Sequence, residues 1–128
     1  MKLLLDTHTF IWLDSNSARL SQHVRNLCQD QNNTLMLSVV SVWEIQIKIQ
    51  LGRLKLKLPL AELVKSQQTT NQIEVLPVRL EHALELDRLP LHHKDPFDRL
   101  LVAQANIEDA VLLSKDKAFT KYSVKTVW

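Results

Sequence analysis

The sequence holds a single glycine, Gly52, in 128 residues. Phosphate-cradling loops and dinucleotide-binding turns need several glycines close together, so both are excluded. It holds a single cysteine, Cys28, which rules out an intrachain disulfide and any zinc site built from several thiolates. Cys28 shares a helical stripe with Val24 and Leu27 and reads as a small core residue. Aromatic residues are scarce, at 5% of the chain. They sit in core-like patterns rather than along a basic strand, so stacking on bases is not expected to carry recognition. No apolar run approaches the ~20 residues of a membrane span. The apolar start, residues 1–5, is too short for the core of a secretion signal. A reducing cytoplasm is the expected setting, with no membrane partner.

What is present fits a folded domain: 45% hydrophobic and 23% charged residues. The length suits one domain spanning residues 1–128. Short apolar segments at 2–5, 34–37, 73–76, 111–114 and 124–128 read as strands. Helical patterns occupy 7–13, 20–31, 38–51, 60–70, 80–86, 96–108 and 116–122. Ser38 is placed to cap the long helix and Gly52 to follow its end; Ser41 with Glu44 forms an alternative capping pair. Pro96 suits a first helical turn. Residues 53–58 alternate Arg53, Lys55 and Lys57 with Leu54, Leu56 and Leu58, and residues 91–95 make a polar, His-rich loop. Strands alternating with helices predict an α/β fold of three layers, α/β/α, around a central and mostly parallel sheet.

Four carboxylates stand where solvated surface is not expected. Asp6 directly follows the first strand, and ligands in parallel sheets bind beyond the carboxyl ends of strands; capping the next helix is the plainer role. Glu44 lies within a helix, with Val40, Ile47 and Leu51 at spacings that share its face. A charge in an apolar stripe is costly unless paired or bound to metal. Asp98 precedes Leu101, Val102 and Ala105 by three, four and seven residues, on the buried side near a helix start. Asp116 comes just after the strand at 111–114. Asp95, three residues before Asp98, reads as a cap or outer group.

Several carboxylates at one sheet edge repel one another, and a divalent cation relieves that repulsion. An all-oxygen donor set favours Mg²⁺ or Mn²⁺ over Zn²⁺. Such an ion binds phosphate and activates water. Setting the four acids aside leaves 16 basic residues against ten acidic ones, a surface suited to nucleic acid. Arg53, Lys55 and Lys57 form a compact basic segment for phosphates; a charge-protected edge strand is the competing reading.

Four segments in order carry a family likeness. They are Leu3-Leu-Leu-Asp6-Thr7-His8, then Ser38-Val-Val-Ser41-Val-Trp43-Glu44-Ile45 continuing to Leu54. Asp95-Pro-Phe-Asp98 with its Leu-Leu-Val-Ala-Gln-Ala run follows, and Leu112-Leu-Ser114-Lys-Asp116 closes the series. The chain resembles the PIN-domain ribonucleases, and more closely the toxins of VapBC-type toxin–antitoxin pairs. The resemblance implies a metal-dependent endonuclease acting on RNA. It makes Asp6, Glu44, Asp98 and Asp116 the catalytic acids, with Asp6, Asp98 and Asp116 on the metal and Thr7 assisting. His8 stands where relatives carry a small polar residue. A small antitoxin is the implied partner, and a homodimer is expected from the apolar content of residues 54–64. The alternative function is a non-catalytic nucleic-acid-binding or regulatory module of the same fold. A phosphoacceptor receiver is excluded because no aspartate lies between Asp30 and Asp87. A haloacid-dehalogenase-type phosphatase is excluded because His8 stands where its second aspartate would be.

Overall fold

A computed structural model describes residues 1–91 and 95–128. Its five strands are β1 (Lys2–Leu5), β2 (Thr34–Ser38), β3 (Glu74–Leu76), β4 (Val111–Leu113) and β5 (Thr126–Val127). They form one sheet in the order β3-β2-β1-β4-β5, and every pairing is parallel. Six α-helices cross between them: α1 (Thr7–Ser15), α2 (Gln22–Gln29), α3 (Val39–Gln50), α4 (Leu60–Thr70), α5 (Leu80–Glu85) and α6 (Pro96–Glu108).

The apolar strands explain the layering. A strand sends alternate side chains to opposite faces, and β1 has leucine on both. Leu3 and Leu5 join Phe10, Val24, Ile45 and Leu63 on one face. Leu4 joins Met36, Val40, Leu101, Val102 and Phe119 on the other. All three leucines are fully buried, and each contributes about 2 kcal/mol of apolar burial. Both faces are therefore covered, as the near-continuous hydrophobicity of β1 requires.

The local stops are legible chemistry. The Ser38 hydroxyl accepts from the Val40 N–H at 3.0 Å and caps α3, so the alternative cap at Ser41 is not used. Gly52, at φ 71°, lets the chain leave α3. Its N–H donates to Ile49 O, and the Arg53 N–H donates back to Lys48 O at 2.9 Å, the double closure that favours glycine after a helix. Ser21 caps α2, accepting from Val24 N–H, so this helix starts later than the pattern at 20–31 predicts.

Two expectations change, and the competing reading of residues 53–58 as an edge strand falls away. Residues 53–58 form no strand, and the sheet ends at β3 and β5 instead. Their alternation is still physical: Leu54 and Leu56 rest on the core while the three cations face solvent. The predicted last strand, 124–128, pairs only over Thr126–Val127. The expected helix at 116–122 is a 3₁₀ segment, Lys117–Lys121. The polar loop expected at 91–95 lies largely outside the described residues.

Candidate active site

Topology gathers the four acids at one edge. Asp6 follows β1, and α3 starts directly after β2, so Asp6 and Glu44 sit at the carboxyl ends of adjacent central strands. Helix α6 runs back toward the start of β4, which leaves its own first turn, with Asp98, at the same carboxyl edge. Asp116 lies three residues beyond β4. Parallel sheets place ligand sites at this edge.

Asp6 is 6% exposed. Its Oδ1 accepts from the Thr9 N–H at 2.8 Å and caps α1, so the capping role and a site role coincide. Its Oδ2 accepts from the Ser114 hydroxyl. That hydroxyl oxygen in turn accepts from the Asp116 N–H at 3.0 Å. Ser114 thus ties two of the acids together. The Thr9 hydroxyl donates to Leu113 O at 3.0 Å and fixes α1 against the end of β4. Asp6 and Asp116, with His8, Trp12 and Lys115, line a shallow hollow of about 280 Å³. Asp116 itself is exposed and caps its 3₁₀ segment through Ala118 N–H.

Glu44 departs from its expected setting. Leu51, one supposed neighbour on its face, is 60% exposed, and the buried side of α3 is Val40, Ser41 and Ile45. Glu44 is instead half-buried and paired with Lys48 at 2.8 Å. Thr7 Oγ1 lies 3.0 Å from both Glu44 Oε1 and Ser41 Oγ. A hydroxyl has one proton and a carboxylate can only accept. Thr7 therefore donates to Glu44 and receives from Ser41, which holds Glu44 one residue away from Asp6.

Asp98 lies half-buried in the first turn of α6, above the fully buried Leu101 and Val102. Asp95 caps that helix, with Oδ1 accepting from the Phe97 and Asp98 N–H groups. Asp6 and Asp116 cap their own segments in the same way, so capping alone does not separate Asp95 from Asp98. Trp43 of α3 meets Phe97 of α6 edge-on at 5.1 Å and brings these two helices together.

The quartet shares an edge without closing on itself. Among the described residues, the one set of three donor residues whose ligand atoms all lie within 4.8 Å is Glu81, His82 and Glu108. That set stands apart from the acidic edge, at the far end of α6. Arg79 pairs there with both Glu81 and Glu108. The fully buried His82 accepts at Nδ1 from the Arg79 N–H and directs its Nε2 proton to Glu108 at 2.9 Å. The hydrogen bond from His82, then the charge of Arg79, hold the Glu108 carboxyl below the usual range against the opposing effect of burial. Lys2 also reaches Glu108, at 3.9 Å, so two cations face two carboxylates and the cluster suits a structural clamp between α5 and α6. Gln104 extends the clamp, facing His82 Nδ1 and accepting from Ser38 at the cap of α3.

Asp6 fits a hard cation better. It is a buried carboxylate held only by neutral donors, and among the described residues no cationic side chain pairs with Asp6 or Asp116. Buried charge without a counter-charge is costly, and oxygen donors match Mg²⁺ or Mn²⁺.

Sequence alone assigns no site role to Ser114, Thr9, Lys48, Trp12 or Lys115. Lys48 had a signal, its i,i+4 spacing from Glu44. The expectation that aromatics serve only the core is corrected: Trp43 is 59% exposed, and Trp12 lines the acidic hollow.

The chain is similar to VapBC2 from Rickettsia felis bound to a DNA fragment from their promoter. The TM-score is 0.76 at 16% identity, covering 99% of this chain and 98% of that one. It is also similar to DNA-bound VapBC from Salmonella typhimurium, with TM-score 0.70, 16% identity and coverage of 99% and 97%. A third is VapBC-1 from nontypeable Haemophilus influenzae, with TM-score 0.65, 18% identity and coverage of 99% and 97%. At these identities the likeness is one of fold. No curated protein matches the chain. The family model for the PIN domain matches residues 3–125, nearly the whole sequence, and the chain belongs to the PIN-domain family.

Proposed function

We propose that this chain is a divalent-metal-dependent endoribonuclease that hydrolyses RNA phosphodiester bonds, and the toxin of a toxin–antitoxin pair. PIN domains are generally nucleases. The observation that carries the reading for this chain is Asp6: a buried carboxylate that takes, among the described residues, neutral donors only, joined through Ser114 to Asp116 beside an open hollow.

In this reading Asp6, Asp98 and Asp116 hold Mg²⁺ or Mn²⁺. The ion, when bound, supplies charge for the scissile phosphate and lowers the pKa of a water in the site. Ser114 and the Thr9 N–H orient Asp6. Thr7 orients Glu44 through Oε1, and Oε2, paired with Lys48, serves as a proton acceptor once Lys48 turns to substrate. Lys115, exposed at the rim of the hollow, offers a positive charge to a phosphate oxygen. Hydrolysis by water leaves a 5′-phosphate and a 3′-hydroxyl.

The solved neighbours include a toxin–antitoxin complex from Klebsiella pneumoniae and a VapBC-5 from Mycobacterium tuberculosis. For this chain, an antitoxin segment bearing Arg or Lys would neutralise the acidic hollow and keep substrate out. A homodimer belongs to the same proposal. Leu54, Leu56, Leu60 and Val64 rest on the chain's own core, so its contact would draw on Trp43, Leu80 and Leu84, which are exposed.

The test is to incubate total cellular RNA with the protein, with Mn²⁺ or with EDTA, and map the new ends. The expected ends are 5′-phosphates that appear only with metal. Ends in 2′,3′-cyclic phosphate, formed undiminished in EDTA, contradict the proposal. Expression alone should arrest growth and co-expression of a neutralising partner should restore it; harmless expression of active protein removes the toxin role.

A further inference from the structure

The acidic hollow has a basic neighbour. A groove of about 450 Å³ runs beside it, lined by Arg19, Lys48, Arg53 and Lys55 together with Ser15 and Asn16. No Asp or Glu is among its lining residues. His8 and Trp12 line both hollows, so they form the wall between them. We infer that this groove is the subsite for the sugar-phosphate backbone of single-stranded RNA, with the His8–Trp12 wall receiving an unstacked base. The inference rests on the nuclease reading of the acidic hollow and assigns the residues along which the substrate's backbone approaches it.

Charge gives the first argument. A polynucleotide carries one anion per residue, so the phosphates flanking a scissile bond need positive surface close to an acidic centre. Arg53 and Lys55 are exposed, and among the described residues neither pairs with a carboxylate. Lys48 has Glu44 as its partner and contributes less. Arg19 is pre-positioned, its guanidinium 4.5 Å from the centre of the Trp12 ring, where the ring face attracts a cation. Lys57 is not part of the groove and lines a separate hollow with Leu56, Leu58 and Pro59. The basic segment expected from sequence is thus split: two of its cations face the groove and are joined there by Arg19 and Lys48.

The wall gives the second argument. His8 is exposed on α1, its ring 5.7 Å from Trp12 and tilted by 37°. Trp12 is braced edge-on by Trp128 at 5.8 Å. The exposed His8 ring, backed by Trp12 and set between the acidic hollow and the cationic groove, offers a stacking surface that only an unpaired base can use. A duplex keeps its bases inside and presents nothing to this wall.

Binding is measured in EDTA on protein carrying Asp6→Asn, so the result does not depend on cleavage. The probe is a fluorescent single-stranded oligoribonucleotide, titrated across a salt series. Adding Arg53→Gln and Lys55→Gln should weaken binding and flatten the slope of log K against log salt by about 1.4, roughly 0.7 for each phosphate that is no longer neutralised. His8→Ala should weaken binding about fivefold or more by loss of stacking, with the slope unchanged. Lys65→Gln with Lys125→Gln, exposed elsewhere, should leave the slope as it was. Circular dichroism checks that each variant is folded. An unchanged slope in the Arg53/Lys55 variant overturns the groove. A duplex that binds as tightly as the single strand and ignores His8→Ala overturns the strand assignment. Oligoglutamate that binds as tightly, with the same dependence on Arg53 and Lys55, assigns the groove to an acidic protein segment instead. If the wild-type protein fails to cleave RNA with Mn²⁺ while these binding results hold, the nuclease reading falls and the groove stands.

Discussion

Replacing Ser114 with alanine removes one oxygen from the centre of the site. That oxygen is nearly inaccessible, in a residue 5% exposed. It donates to Asp6 Oδ2 and accepts from the Asp116 N–H at 3.0 Å. In the variant Asp6 keeps one donor, the Thr9 N–H at 2.8 Å. A hydrogen bond to a charged group contributes about 1.5–3 kcal/mol, and a buried acceptor left short of a partner loses that contribution without help from water. The Asp116 N–H belongs to an exposed residue and regains a water, so its loss adds little. The net cost is therefore about 2 kcal/mol, which for a domain of this size lowers Tm by roughly 6–10 °C. Guanidinium unfolding at neutral pH in EDTA, followed by circular dichroism, reads it as a lower midpoint with unchanged m. The same variant should cleave poorly, because Asp6 loses its orientation. A stability within about 0.5 kcal/mol of wild type would refute the claim that Ser114 holds Asp6.

Asp98→Asn should abolish cleavage with little change in stability, while Asp95→Asn should retain measurable cleavage and nearly full stability, because the Asn side-chain oxygen still caps α6; kinetics and denaturation on both variants decide, and the reverse order of activity reassigns the third acid. Glu108 is held below its ordinary value of 4.5 mainly by His82 and Arg79, so the clamp stabilises fully above that value and is lost as pH falls through the lower one. Glu108→Gln should be less stable at neutral pH and show a flatter loss of stability on acidification below about 4.5, measured by unfolding midpoints across pH. Gly52→Ala should cost about 1 kcal/mol, because φ 71° strains a side chain even though nothing lies within 4 Å of the new methyl; an unchanged midpoint would contradict the strain argument.

Much of the architecture was written in local signals. Residues 2–5 and 34–37 are apolar enough to be central strands, and Ser38, Gly52 and Pro96 mark helix ends by their own backbone chemistry. Alternation of strands and helices then implies parallel pairing, and parallel pairing implies the edge that the four acids share. What sequence left open depends on distance along the chain. Residues 53–58 alternate like a strand, yet no neighbour offers them a ladder. Glu44 looked embedded in apolar surface because its compensation comes from Thr7, 37 residues earlier, and from Lys48 on the next turn. The His82 clamp joins partners 22 and 26 residues away, and no local pattern announces it. Trp12 has a helical spacing shared with the core, and only the fold shows that its ring also borders the acidic hollow.

The central claim is that a divalent ion is held at Asp6 and not at the tighter-looking cluster around His82. Titrating Mn²⁺ into the protein while recording the electron paramagnetic resonance signal of free Mn²⁺ tests it without reference to cleavage. Wild type and Glu108→Gln should remove Mn²⁺ from solution with equal affinity, and Asp6→Asn should leave it free. Undiminished binding by Asp6→Asn, or binding lost in Glu108→Gln alone, would contradict the account.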